Sequence, residues 1–295
     1  METMTRRKRK RNLLPVVLAV VLAVIVAALA LLVFRSLLPA AQREEPDPHA
    51  GQIYVNDGAN MVWLTPHENF AVSPLHRWQF VTLEGQPWYV GSKFAVRRGV
   101  DLSVFQKNVD WAKAAESGVE FAVIRLGFRG YGTGALVEDN AFAQNAADAA
   151  NAGLTVGVYF YSQAVTEEEA AEEARFVVER LRGTNVSGPI AYDLEFYTAD
   201  EARTDDLTGE QATQNALAFC DVIRQAGYEP VVYMNLHWAG SMYGMEELAH
   251  LPVWLASYGP VPALDRGVTL WQYSESGVVD GIEGPVDLDL WFTEE

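Results

Sequence analysis

Cysteine and histidine are scarce in this 295-residue chain, with one Cys and five His. A single thiol excludes an intrachain disulfide and a cysteine-based zinc site, and the histidines show no metal-ligand spacing. Cys220 falls in the apolar pattern Ala216-Leu217-Ala218-Phe219 and reads as a core residue. Positive charge is also in short supply, 22 Lys and Arg against 39 Asp and Glu for a net of −17. Six of those bases and only one acid lie in the first eleven residues, so residues 12–295 carry 16 bases and 38 acids, a net of −22. So acidic a body does not bind nucleic acid through its phosphates. No phosphate-cradling glycine loop occurs and no cofactor is implied; no internal repeat is visible.

Apolar residues at 49% and aromatics at 11% are ample for a folded core. The longest apolar run is Leu13 to Phe34, 22 residues without a charge, which as a helix reaches about 33 Å and spans a bilayer core. The basic block Arg6 to Arg11 before it stays cytoplasmic, leaving everything after Arg35 outside. A cleaved signal peptide is the rival, but its apolar core runs to only about 7 to 15 residues. The expected organisation is a cytoplasmic tail (1–12), a transmembrane signal-anchor helix (13–34), a polar, proline-bearing flexible stalk (35–51), a small β element (52–95) and a large domain (96–295). In the β element, Gln52 to Val55, Trp78 to Leu83 and Pro87 to Val90 are strand-like, separated by turns at Asn56-Asp57-Gly58 and Glu84-Gly85-Gln86. It is too small for a core of its own and is expected as a hairpin element leaning on the large domain.

From Phe94 the chain alternates. Strand-like runs at 94–101, 121–128, 155–162, 189–196 and 230–235 are separated by amphipathic helical stretches at 109–117, 139–152, 166–182 and 208–226. Three further strand-like runs, 253–258, 269–273 and 286–292, come after them with mainly loops between. Parallel strands with helical crossovers, eight in all, predict a closed α/β barrel that is irregular in its last third.

Carboxylates collect at the ends of these runs: Asp101 after the first, Asp193 and Glu195 after Pro189-Ile190-Ala191-Tyr192, and Asp287 with Asp289 in the last. Residues i and i+2 of a strand project the same way, so Asp193 and Glu195 converge. Carboxylates crowded in a partly apolar cleft push each other's pKa apart, allowing one to stay protonated as an acid while the other stays charged. Hydrolysis of a glycosidic bond needs that division.

Gly99-Val100-Asp101-Leu102-Ser103 with Gln106, Val109-Asp110-Trp111, Phe121-Ala122-Val123-Ile124-Arg125, Gly157 to Ser162, Asp193-Leu194-Glu195, Trp254 to Tyr258, Trp271 to Ser274 and Val286-Asp287-Leu288 occur in that order. Together they resemble glycoside hydrolase family 25, the lysozyme-type N-acetylmuramidases, over about residues 97 to 292. The resemblance implies an irregular TIM-like (β/α)5(β)3 barrel that cleaves the β-1,4 bond from N-acetylmuramic acid to N-acetylglucosamine in peptidoglycan. It implies Glu195 as general acid, with Asp193, Asp101 and Asp287 around it. Asp193 either orients the substrate's 2-acetamido group for attack on the anomeric carbon, or one of the three aspartates is base for a water. The sequence departs from the family pattern at Phe105, Lys107, Phe160 and Asp289. Tyr161, Tyr233, Trp254 and Gln272 are the substrate-lining candidates; His237 reads as a surface-loop residue. The reading is a membrane-anchored peptidoglycan hydrolase on the outer face of a bacterial cell membrane, with glycan strands as its partner. Its alternatives are a non-catalytic glycan-binding or scaffold protein on the same barrel, or a glycosidase of another N-acetylhexosamine polymer such as chitin.

Overall fold

The computed structural model describes residues 21–30, 47–56, 61–65, 75–83, 85–197, 200–259, 261–263 and 267–294. Residues 1–50 and Gly51–Glu295 form separate compact units. In the first, residues 21–30 are a helix, α1. The remainder of the expected membrane span and most of the stalk lie outside the described residues, as does the Asp57-Gly58 part of the first expected turn. Among the described residues no helix is long and apolar enough to cross a membrane.

The second unit is built on eight strands that close into a barrel: β5 (Phe94–Leu102), β6 (Phe121–Arg129), β8 (Thr155–Ser162), β9 (Ile190–Leu194), β10 (Pro230–Asn235), β11 (Val253–Ala256), β12 (Val268–Gly277) and β13 (Val286–Glu294). The first seven are parallel neighbours in that order, and β13 closes the ring by running antiparallel to both β12 and β5. A short strand absent from the sequence expectation, β7 (Leu136–Glu138), pairs antiparallel with the end of β6. Helices α2 (Trp111–Glu116), α3 (Phe142–Asn151), α4 (Glu167–Leu181) and α5 (Gly209–Gln225) follow the first four barrel strands, and short π and 3-10 turns at Trp238–Met242 and Glu247–His250 follow β10. Side-chain caps set three of these starts: Asp110, Thr166 and Thr208 accept from the backbone N–H three residues on. The longer helices turn small residues inward, Ala170 and Ala174 of α4 and Ala212 and Ala216 of α5, so they pack close to the barrel.

Strand alternation creates two cores. One face of the strands, with Val100, Val158, Tyr192, Val232 and Leu255, belongs to an outer core that includes the buried residues of the helices. The other fills the barrel with Phe121, Val123, Ala191, Val231, Tyr233, Trp254 and Leu270. Gly99 is needed here, because a Cβ would sit 2.4 Å from the Phe121 ring that occupies the space beside it. Lone Cys220 is buried on α5, and burial pushes its thiol up to about 12, in keeping with a packing role.

Among the described residues no helix packs on the outer wall of β12, β13 and β5. The N-terminal segment covers it with a hairpin, β3 (Phe80–Leu83) and β4 (Gln86–Tyr89). Phe80 packs edge-on against Trp271 at 5.6 Å and Phe292 at 6.3 Å, and Tyr89 against Phe94 and Phe292, both at 6.0 Å. Arg98 binds the Pro87 carbonyl at 3.2 Å and the Gln86 side chain, and lies 4.5 Å from the centre of the Trp88 ring. The β element therefore leans on the barrel as its size requires. Its pairing differs from expectation: β1 (Ile53–Asn56) pairs with β2 (Met61–Leu64), a strand the sequence did not signal, in a separate hairpin.

Candidate active site

All four acids proposed from the sequence meet at one mouth of the barrel. Asp101 ends β5, and Asp193 comes from the end of β9 with Glu195 just beyond it. Asp287 lies at the start of β13, whereas the other three acids lie at or just beyond the ends of their strands. Because β13 is reversed, its first residues reach the same mouth, and Asp287 pairs in register with Asp101.

The mouth holds two depressions that share Glu195 and Asp287. One, of about 570 Å³, is lined by Tyr233, Asn235, Tyr258, Gln272 and Glu275 among others. The other, of about 220 Å³, is lined by Asp101, Phe105, Arg125, Tyr159, Tyr161 and Asp193 among others. Of the substrate-lining candidates, Tyr161, Tyr233 and Gln272 border this cleft and Trp254 does not. Trp254 is 2% exposed and wedged between Tyr159 and Tyr233, its ring centroid 6.1 and 4.8 Å from theirs. It forms the floor and donates Nε1–H to Asp289 at 2.8 Å. Trp271 and Tyr273 face outward, toward Phe80 and Arg98. His237 lies against Phe196, ring centroids 5.9 Å apart, and lines neither depression.

Gln272 is the pivot of the polar network. Its Oε1 accepts from the hydroxyls of Tyr233 at 3.2 Å and Tyr258 at 3.1 Å, which orients its Nε2 to donate to Asp101 at 2.8 Å. Asp101, Asp287 and Asp289 lie side by side, and burial raises the pKa of each, Asp287 to about 6 and Asp289 to about 7; neighbouring charge adds to the shift, from Asp289 and Asp287 at Asp101, from Asp287 at Asp289 and from Glu275 at Asp287. Asp289 is fully buried beneath the mouth, a third member that the sequence placed beside Asp287 but not among the catalytic candidates.

Asp193 and Glu195 form a second coupled pair. Burial raises both, and the neighbouring charge of Asp287 adds to the shift of Glu195, which reaches about 7. The charge of Glu195 adds to the shift of Asp193, and Arg125 opposes it. Both carboxyls are thus disfavoured as anions, and the pair holds a proton near neutral pH. Arg125 was quoted from the sequence only as part of a motif, yet among the described residues lining the two depressions it is the one base. It shares the inward parity of Phe121 and Val123 on β6, and Asp139 anchors its Nε at 2.7 Å. A charged residue on the buried face of an otherwise apolar strand was the signal for it. Asp193 lines the smaller depression, and its Oδ1 is buried without a hydrogen-bond partner.

An eight-stranded barrel with coupled carboxylates at one mouth is the architecture of glycoside hydrolases. The family model of glycosyl hydrolases family 25 matches residues 100–282, and the chain belongs to that family. It is 28% identical over 193 residues to an autolytic lysozyme of Clostridium acetobutylicum, covering 65% of this chain and 55% of that one. It is likewise 28% identical over 212 residues to lysozyme M1 of Streptomyces globisporus, covering 64% and 66% of the two chains. The solved modular autolysin LytC of Streptococcus pneumoniae superposes with a TM-score of 0.60 at 25% identity, covering 72% of this chain and 52% of that one. The chain thus spans less than two thirds of the length of these relatives.

Proposed function

We propose that the protein is a peptidoglycan hydrolase that cleaves the β-1,4 bond between N-acetylmuramic acid and N-acetylglucosamine. The observation that carries this reading is the Asp193–Glu195 pair: one carboxyl holds a proton near pH 7 where two depressions meet, and its neighbour has a buried oxygen without a hydrogen-bond partner. Glu195 donates its proton to the glycosidic oxygen as the bond to the anomeric carbon breaks. Asp193 accepts the N–H of the 2-acetamido group of the muramic sugar and holds its carbonyl oxygen under the anomeric carbon, which that oxygen attacks to close a ring. Water then opens this ring, giving its proton to the Glu195 carboxylate, so the acid is regenerated and the β configuration is retained. Gln272, Tyr233 and Tyr258 fix Asp101 beside Asp287 at the edge of the reaction centre.

Membership of a family whose relatives include two proteins named as lysozymes supports the substrate class. The basic hexad before the apolar run supports a single-pass anchor with the barrel outside a bacterial cell, where this substrate lies. Incubating the full-length protein with purified peptidoglycan and identifying the new reducing-end sugar tests the function. Muramic acid is the expected product; glucosamine would point to a glucosaminidase, and no product to a glycan-binding role.

A further inference from the structure

The family match begins at residue 100, yet the larger depression is completed by residues well before it, Tyr54 and Met61 of the β1–β2 hairpin. In this hairpin Tyr54 stands opposite Trp63, and Met61 opposite Asn56, so Tyr54, Met61 and Trp63 belong to one face. The Tyr54 and Trp63 rings are 4.9 Å apart, tilted by 37°. All three side chains are about half exposed, 53% for Tyr54, 49% for Met61 and 47% for Trp63. A two-stranded hairpin is a poor place to spend large apolar side chains on solvent, and a contiguous exposed apolar patch marks a binding surface.

We infer that this hairpin is an added glycan subsite, in which Tyr54 and Met61 hold the apolar C–H face of a sugar remote from the scissile bond. This rests on the glycan-hydrolase reading above. Two features select the occupant. The hairpin wall is continuous with the reaction centre, since the same depression is lined by Glu195 and Asp287, so a strand held at Glu195 runs past Tyr54. Among the described residues lining that depression the carboxyl groups are Glu195, Glu275 and Asp287 and there is no Lys, Arg or His, a setting that disfavours the carboxylates of stem peptides and leaves the uncharged sugar backbone as the favoured ligand. Tyr258, 47% exposed, reaches the same depression from the barrel, so two tyrosines from distant parts of the chain offer ring faces to one strand.

The test uses the full-length protein carrying Glu195→Gln, so that bound glycan is not cut. It is titrated with long uncrosslinked peptidoglycan glycan strands and with fragments just long enough to be cleaved by the native enzyme. Adding Tyr54→Ala is expected to weaken binding of long strands by about three- to tenfold, the range of one lost aromatic contact, and to shrink the preference for long over short. Tyr54→Trp should restore both. Unchanged affinity for long strands in Tyr54→Ala, or equal losses for long and short ligands, would overturn the subsite. Failure of the catalytic reading appears elsewhere, as a native protein that releases no reducing ends from peptidoglycan, and the titration reads the hairpin in either case.

Discussion

Asp101 and Asp287 face each other across the seam where the first and last strands of the barrel pair antiparallel. Closing the ring with a reversed strand brings a carboxylate from near the C-terminal end of the sequence beside one from the first barrel strand, and Asp289, two residues further along, is drawn in beneath them. Barrel closure thus positions two of the four candidate acids, Asp101 and Asp287, and the strand pairing that closes the ring also sets their register.

Glu195→Gln removes the titratable proton and keeps the shape of the side chain. Turnover on peptidoglycan is expected to fall by roughly two to four orders of magnitude, with the circular dichroism spectrum unchanged. The native pH profile should lose activity above about pH 7, where burial and the Asp287 charge place the pKa of Glu195. A variant retaining more than a tenth of native turnover would remove Glu195 from the role of acid.

Asp193→Asn tests the acetamido route. If the substrate's own carbonyl attacks, this variant loses most of its turnover, and native enzyme releases a β-anomer as first product, visible by NMR before mutarotation. An initial α-anomer would instead mean direct attack by water on the opposite face, with Asp101, Asp287 or Asp193 as the base.

The clustered acids should also shape stability. Burial holds Asp289 near 7 and Asp287 near 6, above their unfolded values of about 4, so between about pH 4 and 7 the folded state binds more protons than the unfolded one. Stability present at pH 4 is therefore lost as pH rises through 6 and 7. The thermal midpoint is expected to fall by several degrees from pH 5 to pH 8. Asp289→Asn, which keeps an acceptor for the Trp254 indole N–H, should flatten that decline and raise the midpoint at pH 8. A decline as steep in this variant as in the native protein would show that Asp289 does not hold a proton there.

The β3–β4 hairpin should contribute to the stability of the barrel it covers. Phe80→Ala removes the edge-on contacts with Trp271 and Phe292 and is expected to cost about 2 kcal/mol in urea denaturation. Trp78→Ala, at a side chain 74% exposed, should stay within about 0.5 kcal/mol. Equal effects would mean that the hairpin is not packed on the wall.

Much of this architecture was legible because the barrel strands have near-continuous apolar runs separated by helical periodicity, and the Asp193-Leu194-Glu195 spacing fixes a shared face by strand geometry alone. What the sequence hid depends on direction and pairing. The strand-like pattern of Val286 to Phe292 has no arrow, so the reversal of β13, which puts Asp287 at the mouth and Asp289 under it, could not be read. Trp254 and Tyr233 look alike as aromatics on neighbouring strands, yet in register with each other one becomes floor and the other cleft wall. Met61 to Leu64 is too short a run to signal a strand until β1 supplies its partner.

The topology of the N-terminal segment follows from charge and length. The uninterrupted run Leu13 to Phe34 exceeds the apolar core of a signal peptide, and the basic hexad on its N-terminal side fixes orientation, so the mature protein is expected to keep the segment as an anchor with the barrel outside. Residues 12–295 carry a net of −22, so surface charge would not retain the barrel on anionic wall polymers. Deleting residues 1–34 behind a cleavable export signal should therefore release the protein into the medium, whereas the native protein should fractionate with membranes and resist extraction by salt. N-terminal sequencing of the mature form decides between anchor and signal: a protein that begins between residues 31 and 45 and is found free in the medium would mean that the segment is cleaved on export.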